Sequence, residues 1–258
     1  MSGAKITDLA ANTAPLTTDV LPIIDDPAGT PASQKITIAS LLTLLCSNVV
    51  VQTFVATGTY TPNALMKKCL AIVVGGGGGG GGGLNTDSCG GGGGGGGTAI
   101  KLFTLADIGA SKTVTVGAAG AGAASGVAPA AGGDSNLGGV GTEILKATGG
   151  QPGVSGAAWS SAYVLAAGGA GGVGTLGDLN IKGNGGDTGI TWSGTLGWAG
   201  VGGSSMFGGN GLGPAVDTIG AAGGAYGAGG GGGHASTATD KNGGAGKIGI
   251  VYVIEFLG

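Results

Sequence analysis

The chain has 258 residues, a net charge of −3 and 67 glycines, and only 9% of its residues are charged. All ten of its basic residues are lysine, so it lacks the bidentate phosphate contacts that arginine makes, and it has no basic stripe; we expect no nucleic acid partner. Its apolar runs are far shorter than a membrane-spanning helix, and no apolar signal core follows the first residues, so we expect neither membrane insertion nor export by a signal peptide.

Glycine content changes abruptly near residue 57. Residues 1–56 contain two glycines, whereas residues 57–258 contain the other 65 (67 − 2). A change of this size in backbone chemistry predicts a domain boundary. We therefore predict an N-terminal segment over residues 1–45, a linker with the first strand over residues 46–56, and a glycine-rich domain over residues 57–258.

The N-terminal segment predicts a few short strands and one short helix over Ala39–Leu45, with Thr37 as its N-cap. About 45 residues with so few apolar groups bury too little surface to fold alone. We expect the segment to fold against a partner or against copies of itself. The apolar residues that would make these contacts are Ile6, Leu9, Leu16, Leu21, Ile23, Ile36, Ile38, Leu41 and Leu42.

Several β-prone runs flank the glycine-rich stretches, and the first and last of them are predicted to pair in one small sheet. These runs are Val49–Val55, Leu70–Val74, Ala99–Thr104, Thr113–Val116 and Lys247–Phe256, and a turn is predicted at Gly58–Pro62. In the last run, Ile248, Ile250, Tyr252, Ile254 and Phe256 share one face at period two. We predict a sheet core of Phe54, Phe103, Tyr252 and Phe256.

The central stretch consists of two glycine runs, Gly75–Gly83 and Gly90–Gly97, joined by the polar turn Leu84–Cys89. Glycine is costly inside ordinary helices and strands, so such runs persist only where the missing side chain is needed. In the polyproline-II conformation the chain repeats every three residues and rises ~3.1 Å per residue, so nine residues span about 28 Å. Bare rods can approach until N–H groups meet carbonyls laterally. The fold class predicted is mostly β with polyglycine-II helices, a small sheet clamping a layered glycine-rich body, and little α-helix.

Two other states are compatible with the composition. Glycine and proline make up 75 of 258 residues (67 + 8), a share typical of disorder. The positive mean hydropathy of +0.40 and the low charge favour order instead, because disordered chains are poor in apolar residues and rich in charge. A collagen-like helix is disfavoured because the triplet period is not sustained.

No motif predicts catalysis, a cofactor or a metal. Matches to the dinucleotide-binding glycine pattern arise by chance in polyglycine, and Gly246–Lys247 continues with Ile248 rather than the Ser or Thr of a phosphate loop. Partial calcium-repeat matches end at Asp134 and Asp187 without a sustained register. The single histidine, His234, has no nucleophile or orienting acid near it in sequence, and we interpret it as a solvated loop side chain. The three cysteines (Cys46, Cys69 and Cys89) lack metal-ligand spacing and predict free thiols, with a disulfide left open.

Aromatic side chains in the inserts between glycine runs have two interpretations. They either plug the ends of the glycine layers or act as exposed anchors for a sugar or a protein, the two usual roles of such residues. The candidate binding residues are Trp159, Tyr163, Trp192, Trp198, Tyr226 and His234.

Several segments, in their order along the chain, resemble the glycine-rich domain of bacteriophage tail fibre proteins. They are Thr53–Pro62, Cys69–Val74 leading into polyglycine, Phe103–Ser111, Thr113–Gly117, Gly132–Gly138 and the closing strand. Lys5–Leu9, Ala14–Asp25 and Lys35–Leu42 are similar to the short segment that starts many phage fibre proteins. Polyglycine helices with variable tip loops also resemble the adhesins of T-even phages.

The resemblance implies a virion protein made in the bacterial cytoplasm. Residues 1–45 would dock on other virion proteins, and the glycine-rich domain would bind a bacterial surface protein or glycan, commonly as a homotrimer. A capsid-attached fibre built from the same parts is an alternative. An ice-binding polyglycine-II protein is a third, but it requires a flat face of regularly spaced Thr or Ala, and the irregular inserts disfavour one.

Overall fold

A computed structural model of the chain describes residues 16, 20–25, 32–37, 49–83, 87–124, 127–160, 162–193, 195–214, 216–236 and 239–258. The helix expected over Ala39–Leu45 lies outside these residues. Five of the expected attachment residues also lie outside them: Ile6, Leu9, Ile38, Leu41 and Leu42.

The described chain is mostly β, with a single helix in those ranges. The strands are β1 (Val20–Asp25), β2 (Ala32–Thr37), β3 (Val49–Phe54), β4 (Gly58–Tyr60), β5 (Met66–Val74), β6 (Ser88–Cys89), β7 (Thr98–Thr104), β8 (Lys112–Thr115), β9 (Ser135–Leu137), β10 (Leu145–Ala147), β11 (Val164–Ala166), β12 (Gly174–Thr175), β13 (Leu179–Ile181), β14 (Gly189–Ser193), β15 (Leu196–Trp198), β16 (His234–Ala235) and β17 (Ile250–Leu257). Helix α1 spans Leu105–Ile108 and begins with a capping box between Thr104 and Asp107.

The first strand after the N-terminal segment pairs with the last strand of the chain, as predicted. The base sheet has the order β13-β7-β5-β17-β3, and all of its pairings are antiparallel. β3 pairs with β17 from Val49 opposite Phe256 to Phe54 opposite Val251. Strands β5 and β7 lead directly into and out of the two glycine runs, so this sheet clamps the base of the glycine body.

A second five-stranded sheet, β12-β10-β9-β8-β4, covers one face of the base sheet, and the apolar core lies between the two. The predicted turn at Gly58–Pro62 is partly wrong, because Gly58–Tyr60 forms β4 and pairs with β8. Tyr60, placed in the core by this pairing, is fully buried. The core residues from the two sheets include Tyr60, Cys69, Val73, Phe103, Val114, Leu137, Leu145, Val251 and Val253.

The prediction of which β17 face is buried was wrong. The core-facing residues are Val251, Val253, Glu255 and Leu257, whereas Phe256 is 37% exposed. Of the other expected core aromatics, Phe103 is buried, Phe54 is partly buried against the core, and Tyr252 packs edge-to-face on Phe207 at 5.6 Å. Both faces of β17 are largely apolar, so its alternation could not show which face the second sheet covers.

The first glycine run, residues 75–83, lies in a ring of six neighbouring segments. Its N–H donors repeat with period three: Gly75, Gly78 and Gly81 donate to Gly97, Gly94 and Gly91 at 2.8–3.0 Å. Of the other N–H groups, that of Gly82 donates to Oγ of Ser155, and the rest donate to segments 130–133 and 241–247. The carbonyls of residues 76–82 accept from segments 120–123, 150–156 and 230–233. A three-residue repeat pointing in three donor directions is the geometry of polyproline-II-like rods.

The second run, residues 90–97, has a ring of its own. It donates to segments 148–154, 184–187 and 227–233, and it accepts from segments 75–81, 169–172 and 200–203. Segments 148–156 and 227–233 contact both central runs from opposite sides. The glycine body is therefore a layered bundle in which lateral backbone hydrogen bonds replace a side-chain core.

The close approach of the rods explains why glycine is required in the centre. A Cβ atom added at Gly79 would lie 1.8 Å from the carbonyl oxygen of Ala121, and one at Gly92 would lie 2.0 Å from that of Val201. Residues with side chains occupy outward positions of the outer rods, such as Val154 at 53% exposure. The pattern of glycine and non-glycine residues thus encodes which side of each rod faces a neighbour.

The described part of the N-terminal segment contains an antiparallel hairpin of β1 and β2, in which Leu21 lies opposite Ile36 and Ile23 opposite Gln34. Leu16 is 66% exposed. The predicted domain limits at residues 45 and 57 remain predictions.

Candidate functional site

The bundle has two chemically different ends. One end is the base sheet with its apolar core, described above. At the other end, β6, which lies between the two central runs in sequence, pairs with β16. The N–H of Cys89 in β6 donates to the hydroxyl of Thr191 in β14 at 3.1 Å. This bond fixes a small third sheet, β11-β14-β15, at the tip of the bundle.

One face of the third sheet is apolar and open to solvent. Leu165, Ile190 and Trp198 lie in one row across its three strands. Trp192 and Trp198 pack edge-to-face with ring centroids 5.9 Å apart, and they remain 50% and 63% exposed. We call this surface the tip face; it consists of Tyr163, Leu165, Ile190, Trp192, Leu196 and Trp198.

The local sequence explains why the tip face points outward. Strand alternation turns Thr191 and Gly197 inward, and Thr191 is 1% exposed. A Cβ atom at Gly197 would lie 2.4 Å from Sγ of Cys89, so glycine lets β15 close over β6. A bulge between Thr191 and Ser193 shifts the register of β14 against β15 and leaves both tryptophans on the outer face.

A groove of about 330 Å³ adjoins the tip face. Ile190 and Trp198 provide apolar walls, and Asp187 and Thr188 add a carboxylate and a hydroxyl. The rest of the lining comes from Ala199, Gly200, Val201 and Gly213. The groove therefore combines an exposed aromatic ring with hydrogen-bonding groups.

The six predicted binding residues are distributed over the molecule. Tyr163, Trp192 and Trp198 come together at the tip. Trp159 also lies there, since its backbone N–H donates to the carbonyl of Asp87 at 3.1 Å. Trp159 is half-buried, and its Nε1 has no hydrogen-bond partner in the described structure. Tyr226 lies at the base end, where the next residue, Gly227, donates to the carbonyl of Ile248.

The sequence context of His234 suggested a solvated loop side chain, and this interpretation was wrong. His234 is 1% exposed and lies in β16 opposite Cys89. It is buried where β16 pairs with β6, which the sequence did not reveal. In this arrangement its side chain is not available to a ligand at the surface.

Five residues of the tip were missed from the sequence: Leu165, Ile190, Leu196, Asp187 and Thr188. The alternation of Ile190 and Trp192 around Thr191 was a readable strand signal. Nothing in the sequence showed that the strands carrying Leu165 and Leu196 flank it.

A second groove, of about 560 Å³, lies beside the base sheet and is lined by charged groups of both signs, including Lys101, Asp107, Glu143 and Asp178. Most of these groups already have partners. The hydrogen bonds that Asp107 accepts from Thr104 lower the pKa of its carboxyl, and Oδ2 of Asp178 accepts from the N–H of Leu102 at 3.1 Å. Lys101 lies over the ring of Phe103 at 5.3 Å. The charged side chains of this groove are therefore explained by contacts within the protein.

A buried polar cluster lies in the core of the base. The hydroxyl of Tyr60 donates to Oε1 of Glu255 at 2.7 Å, and the backbone N–H of Asn63 donates to the same oxygen at 3.2 Å. Burial, followed by the hydrogen bond to Glu255, raises the pKa of Tyr60 well above its usual range. Burial also raises the pKa of the Cys69 thiol. The cluster fixes β4 against β17 far from the tip.

Within the part of the chain that the structure describes, no three His, Cys, Asp or Glu side chains gather closely enough to hold a metal ion. No helix in those ranges is long and apolar enough to cross a membrane.

The sequence matches the glycine-rich domain family over residues 52–254, which is 203 of the 258 residues (254 − 52 + 1). The chain belongs to the glycine-rich domain family. No curated protein matches it. The matched region of this glycine-rich domain protein contains the central rods, the tip face and nearly all of the base sheet.

Proposed function

We propose that this glycine-rich domain protein is a bacteriophage tail fibre protein. Its N-terminal residues 1–45 dock on the virion, and its glycine-rich domain binds a receptor on the bacterial surface through the tip face. The observation that carries the proposal is the cluster of exposed Tyr163, Trp192 and Trp198 at the end of the bundle opposite the base.

The chemistry of the tip face supports binding. Leu165 and Leu196 are 56% and 65% exposed beside the tryptophans, which makes the face a contiguous apolar patch. Such patches on folded domains mark interaction sites, and exposed Trp and Tyr are the usual binding anchors.

The bundle supports the mechanical role of a fibre. Nine residues of a polyglycine-II rod extend ~28 Å, and lateral hydrogen bonds to six neighbours make the rods stiff. The tip face is therefore held at a fixed distance and orientation from the base. A preorganised binding surface loses less entropy on binding than a flexible loop does.

The base has features suited to assembly. The face of the base sheet away from the core exposes Val51 at 56%, Leu102 at 47% and Phe256 at 37%. This face begins at β3, directly after the N-terminal segment. We propose that copies of the chain associate here as a homotrimer within the virion, with residues 1–45 contacting other virion proteins.

The test measures whether purified protein competes with the phage for adsorption to host cells, using the phage whose virion contains this protein. Purified full-length protein should slow adsorption, and Trp192→Ala should need at least tenfold more protein for the same effect. Leu196→Ala should weaken competition, whereas Leu65→Ala, which truncates a leucine of similar exposure (63%) at the base, should not.

Unchanged adsorption in saturating wild-type protein would contradict receptor binding. Immunogold microscopy of virions reports the attachment point. Label on the tail supports the proposal, and label on the capsid would identify a head fibre instead.

A further inference from the structure

The groove beside the tip face has the chemistry of a sugar site. We propose that it binds a single neutral hexose unit of a bacterial surface polysaccharide, an inference that rests on the proposed receptor-binding function. The ring of Trp198 would stack on the apolar C–H face of the sugar, and Asp187 and Thr188 would bind its hydroxyl groups.

The lining matches the two-sided surface of a hexose. A pyranose ring has a face of C–H groups and a rim of hydroxyls. Trp198, 63% exposed, offers an aromatic surface continued by Ile190, and aromatic rings pack well on such amphipathic ligands. The carboxylate of Asp187 can accept two hydroxyl hydrogen bonds, and the hydroxyl of Thr188 can donate or accept one.

The floor of the groove is rigid. The backbone N–H of Asp187 donates to the carbonyl of Val201 at 2.7 Å, and its carbonyl accepts from the N–H of Gly92 in the second central run. The N–H of Gly200 donates to the carbonyl of Gly90 in the same run at 2.9 Å. Both walls are thus anchored to the centre of the bundle, so the polar groups are positioned before a ligand arrives.

The size and charge of the groove select the ligand class. Its volume of about 330 Å³ lies near the lower end, ~300 Å³, of small-molecule sites, which suits one ring better than a folded protein surface. Asp187 is the only charged side chain in the lining, so the carboxylate of an acidic sugar would find no cationic partner there. The carboxylate of Asp187 is exposed, and solvent would screen its attraction for a cationic sugar.

The test is calorimetric titration of the full-length protein with glucose, galactose, mannose, glucuronate and glucosamine. At least one neutral hexose should bind with a millimolar dissociation constant, and glucuronate should not bind. Asp187→Asn and Trp198→Ala should each weaken binding at least fivefold, Trp198→Phe should retain part of it, and Leu65→Ala should not change it. Thermal melting of every variant checks that the fold is intact.

The outcomes separate this inference from the proposed function. If no neutral hexose binds while the wild-type protein still slows adsorption, the sugar site is wrong and the receptor is bound through other contacts. If a hexose binds but adsorption is unaffected, the sugar site stands and the tail fibre function fails. Binding of glucosamine but of no neutral hexose would also overturn the sugar site. So would hexose binding that is unchanged in the Asp187→Asn variant and in the Trp198→Ala variant.

Discussion

Replacing Gly79 with valine tests the idea that the bare backbone forms the interior of the glycine body. The Cβ atom would lie 1.8 Å from the carbonyl oxygen of Ala121, 2.4 Å from its carbonyl carbon and 2.8 Å from the nitrogen of Gly122. These are backbone atoms, so no side chain can rotate to make room. Ordinary contacts of a Cβ begin at 3.4 Å, and the rods must therefore separate by roughly 1.5 Å.

The cost follows from the hydrogen bonds that this separation breaks. Gly120 donates to Gly77 and Ala123 donates to Gly80, both at 2.9 Å, and all four residues are buried. A buried polar group left unpaired costs about 1–3 kcal/mol, so four of them cost at least about 4 kcal/mol. This is a large share of the ~5–15 kcal/mol by which domains are stable. At about 2–4 °C per kcal/mol, the melting temperature should fall by roughly 10 °C.

The assay is thermal unfolding of purified protein followed by circular dichroism. Gly209→Val is the matched control, because a Cβ atom at Gly209 meets no atom within 4 Å although Gly209 belongs to the same glycine body. Its free energy of unfolding should change by less than about 0.5 kcal/mol. Equal melting temperatures for the two variants would refute the lateral packing of the central rods.

Three other perturbations probe the base and the tip. Glu255→Ala removes the acceptor of the buried Tyr60 hydroxyl, so the free energy of unfolding in urea should fall by about 1–3 kcal/mol; an unchanged midpoint would contradict this contact. The pKa of Tyr60 is raised on folding, so the unfolded chain loses the phenol proton at a lower pH than the folded chain does. The free energy of unfolding should therefore decline as pH rises above about 10. Tyr60→Phe should flatten this decline, and an identical slope in the variant would contradict the role of Tyr60. Gly197→Ala should push β15 away from Cys89 and weaken adsorption competition while the melting temperature falls only a few degrees; unchanged competition would show that the position of β15 does not matter.

Much of the base sheet could be predicted from the sequence, because β-strands have a local sequence pattern. The runs around Val49 and Ile250 are β-prone, and their pairing with each other was predicted correctly. Which face of β17 is buried was not readable, since both faces are apolar and the covering sheet is assembled from distant residues. Glu255 lies on the buried face because Tyr60, 195 residues earlier, supplies its hydrogen bond.

At the tip, too, the sequence predicted some features and missed others. The sequence identified Tyr163, Trp192 and Trp198 as candidates, because large aromatics stand out among glycines. It gave no sign that His234 would be buried or that Tyr226 would lie at the other end, since both depend on where the rods end in the bundle. Asp187 and Thr188 were missed because a turn aspartate and a threonine have many ordinary explanations.

The sequence by itself determined that the interior of the glycine body is made of backbone, because its long runs without side chains exclude an ordinary side-chain core there. The three-residue conformational repeat of polyproline II is a local property of such a chain. Only the tertiary structure decided which segments surround each run and which residues meet at the tip. Those choices depend on lateral hydrogen bonds between segments up to 170 residues apart, such as that of Gly77 with Lys247 (247 − 77), and glycine carries no side-chain information to specify its partner.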